Sequence, residues 1–462
     1  MEIQLYDYQQ DLYDKIKLEF RKGHQGVLAV LPCRAGKSYV FAKISKKAQE
    51  KGSKVLILAH RNSLLNQHKE LFESLNLEDN NIRIESVFTE VNHLGENGKV
   101  DIIIIDEAHL SGAASYQKVC EYYNCKRILF TGSPARLDGK PLTLADTMVI
   151  GISAKELIKQ KKISDYHYYA PDLQLDLSSI KKTAGDFNNQ ELGEKMSSKK
   201  IYGDVLKYYN ELGKGKQAIA YCVNVKHSQE VCNMFNENGI LAKHMDAKTP
   251  EKEREIILKD FKDNKFTILC NCNLISEGIT LPNADIGLLL RPTLSLPLYI
   301  QQSCRVLSPA ENKTAIIIDY VGNVFRHGLP TQDRNWSLTK KVKEYSNIEE
   351  DGTFKLRVCK ECFSTFEAKE PICPYCGALY ELEPIEIQNI KEVELKKIEQ
   401  EKEIRKRAYL NNIAEKVEYY ESVNDCKTWS ELTAFAKMKG YKPGYAYVMA
   451  KQLGIRVPRK GR

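Results

Sequence analysis

The chain has 462 residues, with 69 Lys+Arg against 61 Asp+Glu, a formal charge of +8. At roughly 100–200 residues per domain, that length allows roughly two to four domains. A composition of 42% apolar and 28% charged residues excludes a disordered chain, and the lack of any run of ~18 uncharged apolar residues excludes a transmembrane helix. The first stretch, MEIQLYDYQQDLYDKIKLEF, carries acids and no apolar h-region, so no secretory signal is expected; the expectation is a soluble, cytoplasmic protein with no membrane partner. Over the first ~340 residues, short β-branched runs alternate with charged amphipathic stretches, the pattern of βαβ units and parallel sheets. Strands are predicted at GVLAVL (26–31), KVLILA (54–59), VDIIIID (100–106), RILFTG (127–132), QAIAYC (217–222), FTILCN (266–271), IGLLLR (286–291) and TAIIIDY (314–320). Segments such as KSYVFAKISKKAQEKG and PEKEREIILKDFKDN place apolar residues at helical spacing. Two such blocks are separated by a polar stretch, DLSSIKKTAGDFNNQELGEKMSSKK, read as a linker or small insertion. The predicted division is 1–155, 156–345 with the insertion at 170–200, 346–385 and 386–462. The fold class expected is α/β, with two tandem parallel-sheet domains, a small four-cysteine module and a helical basic tail.

After the first strand comes Pro32-Cys33-Arg34-Ala35-Gly36-Lys37-Ser38, followed by a helical pattern. A strand, a tight turn and a helix N-terminus aim backbone N–H groups and a helix dipole at a phosphate. Gly36 permits the turn, Lys37 reaches the β/γ-phosphates and Ser38 can hold Mg²⁺. The sequence departs from GxxxxGK[ST] in having Leu31 at the first glycine, and Arg34 stands where many such motors have a glycine. A second signal, Asp106-Glu107-Ala108-His109, directly follows an apolar run that reads as a buried parallel strand. Acids at the carboxyl end of such a strand lie in the ligand crevice of an open α/β sheet. Asp106 can bind Mg²⁺, and Glu107 can orient and deprotonate an attacking water.

The order Gln9, Gly36-Lys37-Ser38, Asp106-Glu107-Ala108-His109, Thr131-Gly132-Ser133 and Gln301-x-x-Cys304-Arg305 resembles the superfamily 2 helicases and translocases of DEAH type. The resemblance covers about residues 1–330 and implies two RecA-like domains with ATP in the cleft between them. LYDYQQ resembles the N-terminal glutamine motif, with Gln9 on adenine. LILAHRNSLLNQ (56–67) resembles motif Ia, SVFT (86–89) the following strand-tracking motif, and LFTGSPAR (129–136) the motif that couples ATP state to nucleic-acid grip. AIAYCVNVKHSQEV (218–231) is similar to motif IV. LISEGITLPNAD (274–285) is similar to motif V, with Glu277 and Gly278 matching and Thr280 where Asp is commoner. By this resemblance the nucleotide site takes Gln9, Arg34, Ala35, Gly36, Lys37, Ser38, Asp106 and Gly278. Lys37, Asp106, Glu107, Gln301 and Arg305 carry catalysis, and His109 couples the ATP site to the second domain. The implied nucleic-acid contacts are His60, Arg61, Asn62, Thr89, Gly132 and Asn224, directed at the backbone. Motif VI usually reads QxxGRxxR, and here Cys304 replaces the glycine and Ser308 the second arginine. Arg305 alone suffices, Arg291 contributes, or turnover is slow; the sequence leaves all three open.

Of the 13 cysteines, nine are scattered, often within apolar runs, and read as small buried hydrophobes in a reducing compartment. The other four form two CxxC pairs, Cys359/Cys362 and Cys373/Cys376, ten residues apart. That spacing suits a closed tetrahedral Zn²⁺ site; a disulfide pair is at odds with a cytosolic chain, and a redox CxxC needs one pair. The motor, followed by IIIDYVGNVFRHGLP (316–330) and then CxxC…CPxCG, resembles RadD-type DNA-repair helicase-like proteins and their phage-encoded relatives. This implies a DNA-stimulated ATPase of replication or recombinational repair using ATP, Mg²⁺ and Zn²⁺. Single-stranded or branched DNA, single-strand-binding protein and other replication or recombination proteins are the partners it suggests. From Lys427 to Arg462 there are nine positive residues and one acid, with Tyr441, Tyr445 and Tyr447 among them. Such a segment can neutralise phosphates and stack on bases, or form a solvated helical hairpin. The charged run 390–420 reads as a linker helix. The rival readings are a non-motor DNA-binding adaptor with a degenerate ATP site, and an RNA helicase.

Overall fold

A computed structural model of the chain describes residues 2–77, 80–135, 140–170, 177, 179–183, 186–196, 199–272, 284–338, 345, 347, 355–359, 361–368, 370, 372–379, 416–442, 444–455 and 457. They fall into two compact units, within 1–380 and 381–462. The first unit contains two six-stranded sheets, each parallel throughout. One runs β3-β2-β4-β5-β1-β6, built from β1 (Gly26–Val30), β2 (Val55–Ala59), β3 (Ile82–Ser86), β4 (Ile102–Ile105), β5 (Lys126–Thr131) and β6 (Thr147–Ile150). The other runs β11-β12-β10-β13-β14-β7, built from β7 (Asp165–Tyr169), β10 (Ala218–Tyr221), β11 (Ala242–Met245), β12 (Ile268–Asn271), β13 (Ile286–Leu289) and β14 (Thr314–Asp319). Between β7 and β10 lies the short hairpin β8 (Lys182–Thr183) and β9 (Asp186–Phe187).

Every residue of β1, β2, β10, β12 and β13 is buried, because helices cover both faces of a parallel sheet. All eight predicted strands are present; seven are one to three residues shorter than the predicted run, and β5 keeps its length but starts one residue earlier. The runs continue into buried loop positions just past the strand ends, as at Leu31 and Leu290, each of which still donates one backbone hydrogen bond to the neighbouring strand. Strands β3, β6, β7 and β11 were not predicted. Their sequences IRIES, TMVI, DYHYY and AKHM are short and mixed, as suits partly exposed edge positions. The polar stretch between the blocks is partly packed. Asp186 is buried and accepts hydrogen bonds from the Leu294 N–H (2.7 Å) and the Thr293 hydroxyl (2.7 Å), and pairs with Arg291 (3.4 Å).

Beneath β14 lies a buried polar cluster. Asp319, with no exposure, accepts from the Tyr168 hydroxyl (2.8 Å) and the N–H groups of Val321 (3.2 Å) and Val324 (2.9 Å). Burial pushes its carboxyl pKa up. Tyr299 continues the network, its hydroxyl 3.1 Å from that of Tyr168 and 3.0 Å from the Gly328 carbonyl.

The four cysteines lie in a small module whose strands β15 (Leu356–Val358) and β16 (Thr365–Glu367) pair antiparallel. It sits against β7, the outer strand of the second sheet: Ser364 bridges Tyr169, the His167 and Tyr375 rings meet edge to face at 4.6 Å, and Lys155 pairs with Glu367 at 3.0 Å. The second unit holds helices Trp429–Met438 and Tyr445–Gln452 around Leu432, Phe435, Ala446 and Ala450. Glu431 locks its entry, accepting from the N–H groups of Lys427 and Thr428 and pairing with Lys416. Lys437, Lys439, Tyr441, Lys442, Tyr447 and Lys451 are exposed. Most of the predicted linker helix at 390–420 lies outside the described residues. No helix among the described residues is long and apolar enough to cross a membrane.

Replacing Tyr168 with Phe removes one donor from Asp319 while keeping the ring. The expected cost is ~1–3 kcal/mol of stability, read as a lower urea midpoint with an unchanged slope.

Candidate active site

All strands of the first sheet run the same way, so the loops after β1, β2, β4 and β5 emerge along one edge. Between β1 and β5, Leu31 donates to the Thr131 carbonyl (3.0 Å) and extends the ladder into the phosphate loop. Gly132 is the close-approach residue: a Cβ there would meet the Cys33 sulfur at 3.0 Å. The loop then turns through two left-handed residues, Arg34 (φ 68°) and Gly36 (φ 75°), before helix α2 (Lys37–Gln49) starts. At Gly36 a Cβ would strike the Gln9 amide, whereas at Arg34 the same backbone costs roughly 1–3 kcal/mol.

Gln9 braces this loop. Its amide nitrogen donates to the carbonyls of Ala35 (2.9 Å) and Gly36 (3.3 Å), and its oxygen accepts from the Tyr6 N–H (3.0 Å). The Tyr8 hydroxyl donates to the same Ala35 carbonyl (3.3 Å). Gln9 is 3% exposed, with both ends of its amide engaged by the chain. In this conformation the Gln9 amide braces the phosphate loop.

Strand β4 ends two strands from β1, about 10 Å across the sheet. The Lys37 side chain spans that gap. Its Nζ lies 3.2 Å from Glu107 Oε1 and 3.9 Å from Asp106 Oδ1, with all three side chains largely buried. Burial works against the Lys37 ammonium, but the charges of Glu107 and Asp106 outweigh it and raise its pKa. Burial likewise disfavours the Asp106 carboxylate, yet Lys37 and a hydrogen bond from His68 hold its pKa at about 2. Asp106 therefore stays an anion suited to a divalent cation. Glu107 adopts a left-handed backbone (φ 49°), and His109 Nδ1 lies 3.4 Å from its Oε2.

His68 escaped the sequence reading. It is 1% exposed on helix α3 (Asn62–Ser74), with Nε2 3.0 Å from Asp106 Oδ2 and its ring against Phe41. A polar residue on the stripe Leu64, Leu65, His68, Phe72 was the available signal.

The second sheet supplies the opposite wall. Helix α11 (Leu296–Cys304) carries Gln301, buried, and ends at Arg305. The Arg34 guanidinium crosses the cleft and donates to the Arg305 carbonyl (3.2 Å). Cys33 and Cys304 line one cavity with Gly132, Ile152, Arg334 and Trp336, and their thiols hydrogen-bond. That bond, with Lys37 nearby, brings the Cys33 thiol down to about 7, while Cys304 is pushed up. Cys33 thus feels the charges of Lys37, Glu107 and Arg305 together. Cys304 is the buried core residue expected of it, whereas Cys33 is half-buried with a lowered pKa.

Residues 2–136 match the family model described as type III restriction enzyme, res subunit, and residues 200–309 match the helicase conserved C-terminal domain. A 51.5 kDa protein of a Lactococcus phage (isolate 7-9) is 36% identical over 377 residues, covering 80% of this chain and 82% of that one. The chain belongs to the superfamily 2 helicases. It is an ATP-dependent enzyme of helicase type. A Saccharomyces cerevisiae protein described as an ATP-dependent helicase, IRC3, is 30% identical over 354 residues, covering 69% of this chain and 51% of its own length. The helicase thus spans about half of that relative. Its fold is also that of a structure titled as the ATP-dependent Type ISP restriction-modification enzyme LlaBIII bound to DNA, with a TM-score of 0.51 and 17% identity, over 69% of this chain and 28% of that one.

The other sequence-predicted residues of the helicase divide by placement. His60, Arg61 and Asn62 follow β2, with Asn62 exposed. Thr89 lies in a short helix, Val87–Asn92, and its hydroxyl and N–H both engage Ser86. Asn224 caps helix α9 (Val225–Glu237) through the His227 N–H (2.8 Å) and reaches the Asn189 carbonyl (3.4 Å). Arg291 pairs with Asp186, and Ser308 is buried with no partner for its hydroxyl. Gly278, with the rest of 273–283, lies outside the described residues.

The four cysteine sulfurs lie within 4.8 Å of one another, with Cys359–Cys376 at 3.6 Å and Cys362–Cys373 at 3.7 Å. Four sulfurs held ~2.3 Å from one ion are ~3.8 Å apart, so the set fits tetrahedral zinc, and such spacing is far too long for a disulfide. The two knuckles match: Phe363 N–H donates to the Cys359 carbonyl and Gly377 N–H to the Cys373 carbonyl, both donors left-handed (φ 60° and 76°). Denaturing the purified helicase with a thiol-blocking mercurial should release one zinc per chain, and Cys362→Ser should abolish it, as read with a chromogenic chelator.

Alkylation tests the cleft thiol. With its pKa at about 7, Cys33 should react about tenfold faster at ~pH 8 than at ~pH 6, against roughly 75-fold for an ordinary thiol of pKa ~8.5. The modification should stop ATP turnover and be slowed by ATP, with labelling read by peptide mass spectrometry.

Proposed function

We propose that this helicase is a DNA-stimulated ATPase that uses hydrolysis to move along DNA in replication, recombination or repair. The observation carrying this reading is that Lys37 pairs with Glu107 at the edge of the first sheet while Arg34 of the same loop reaches the Arg305 carbonyl of the second. In it, the backbone of Arg34–Ser38 cradles the phosphates at the N-terminus of α2, with Gln9 bracing the loop. Ser38 and Asp106 would hold Mg²⁺, which neutralises phosphate charge when bound. Asp106 is kept anionic and fixed by His68. Glu107 orients the attacking water and takes its proton as the γ-phosphate departs from ADP. Lys37 then exchanges carboxylates for phosphate oxygens, and Arg305 adds positive charge from the second domain, with Gln301 on the same helix behind it. Gly278 is retained as a proposed contact from the sequence pattern.

Coupling follows from geometry. A ligand that bridges two walls favours the closed cleft, and its cleavage removes the bridge. His60, Arg61, Asn62 and Gly132, on loops along the same edge as the ATP site, are the proposed track contacts of the first domain. DNA as the track is supported by the DNA-bound restriction-modification enzyme of the same fold and by the lysines and tyrosines of the C-terminal unit. The four-cysteine module and its resemblance to RadD-type proteins favour a role in repair or recombination over an RNA track.

The test is ATP hydrolysis measured in parallel with single-stranded, duplex and forked DNA and with RNA. DNA should stimulate turnover more than RNA, with a steep fall as salt rises. Lys37→Ala should lose at least ~10²-fold in rate. Turnover indifferent to nucleic acid, or stimulated better by RNA, defeats the proposal.

A further inference from the structure

Superfamily 2 motif VI has a second arginine at the position occupied here by Ser308, and among the described residues Arg291, Arg326 and Arg334 of the second domain make their hydrogen bonds within that domain. Ser308 is 5% exposed, and its backbone carbonyl accepts from the Ser164 hydroxyl (2.9 Å). Arg291 faces Asp186. Arg334 spends its guanidinium on the carbonyls of His327 (3.0 Å), Leu329 (2.9 Å) and Gln332 (3.0 Å). A second guanidinium nevertheless enters the cleft, from the other side. Arg34 stands in the phosphate loop, yet its side chain turns away from the loop and ends on the Arg305 carbonyl, among Cys33, Tyr221 and Cys304.

Three features set this contact apart from a chance surface pair. The Arg34 backbone is left-handed (φ 68°), a conformation that glycine adopts without strain. Retaining a long cation there needs a reason in its side chain. Arg34 is half-buried: burial, then the charge of Arg305, pulls its pKa down to about 10, which still leaves it cationic at neutral pH. Its acceptor is the carbonyl of the very residue whose side chain the cleft must aim. That carbonyl lies at the end of α11, where helix C-terminal carbonyls lack intrahelical donors and carry partial negative charge.

We infer that Arg34 is a positioning residue for Arg305, a latch from the phosphate loop that fixes the turn carrying the catalytic arginine when the cleft is closed. It supplies from the first domain the second guanidinium that this motif VI lacks. The latch rests on the reading of the cleft as an ATPase site. It assigns Arg34 a task separate from phosphate binding: its backbone belongs to the cradle and its side chain to the opposite wall. Losing the latch should misaim Arg305 without emptying the site.

A double-mutant cycle on the full-length protein decides it, with steady-state hydrolysis and binding of a fluorescent ADP as readouts. Arg34→Ala should lower kcat between about 10- and 100-fold, the scale of a misplaced catalytic group. KM for ATP and affinity for the ADP probe should stay within about threefold, since uniform binding is untouched. In an Arg305→Ala background, Arg34→Ala should cost no more than about twofold further, because the two act as one unit. Arg34→Gly relaxes the backbone but removes the donor, so it should be as slow as Arg34→Ala; Arg34→Lys, which keeps a donor, should recover part of the rate. The ATPase reading fails on the wild-type protein alone, if that turns over no ATP, and the latch falls with it. With wild-type turnover intact, the latch is overturned by any of three results: full activity in Arg34→Gly, losses that add in the double mutant, or a loss confined to nucleotide affinity.

Discussion

A buried ammonium set against two buried carboxylates organises this helicase, and parallel strand order is what makes the arrangement possible. Lys37 starts the helix after β1, and Asp106 and Glu107 end the run of β4, two strands away. Only when all intervening strands point the same way do both ends arrive at one edge. At such separations in a low-dielectric cleft, each charge left without its partner would cost several kcal/mol. The cluster therefore reports on the whole sheet: a slip of β1 against β5 would carry Lys37 away from its acids. His68 adds a second tier, tying α3 to Asp106 and so linking the loop after β2 to the same point.

Much of this was legible from residues alone. The four-isoleucine run of β4 with its acidic terminus, and the glycine-lysine-serine turn after β1, each combine a strand signal with a chemistry that needs a strand end. The paired CxxC motifs announced their sulfur cage by spacing. What stayed hidden depended on packing between distant segments. His68 looks like any helix residue until Asp106 is brought beside it. Cys33 reads as a core filler because nothing in a single strand says that its loop will touch Cys304. The side chain of Asn224 fits a motif IV contact by position, but its neighbours recruit it as a helix cap. Gln9 likewise falls in the family's glutamine motif, while three local carbonyl and amide partners decide where its amide points.

The edge strands were the other blind spot. Strands β3, β6, β7 and β11 lack long apolar runs since one side of each is not covered by a further strand, and their alternation is correspondingly weak. Helix and interior-strand patterns are set by burial on known periods; an edge is set by whichever segment the fold leaves available to complete it. In the second sheet that segment comes from the connector between the two domains, 165–169, before the polar stretch.

The same edge gives the cysteine module a consequence beyond its own folding. Strand β7 is the last of its sheet, and the Ser364 bridge to Tyr169, the Tyr375 ring and Glu367 occupy its outer side. Uncovered rows of amides and carbonyls are templates for intermolecular pairing. If the four cysteines hold zinc, its loss would uncover this edge and register first as self-association, so that the metal would guard solubility as much as it staples the module.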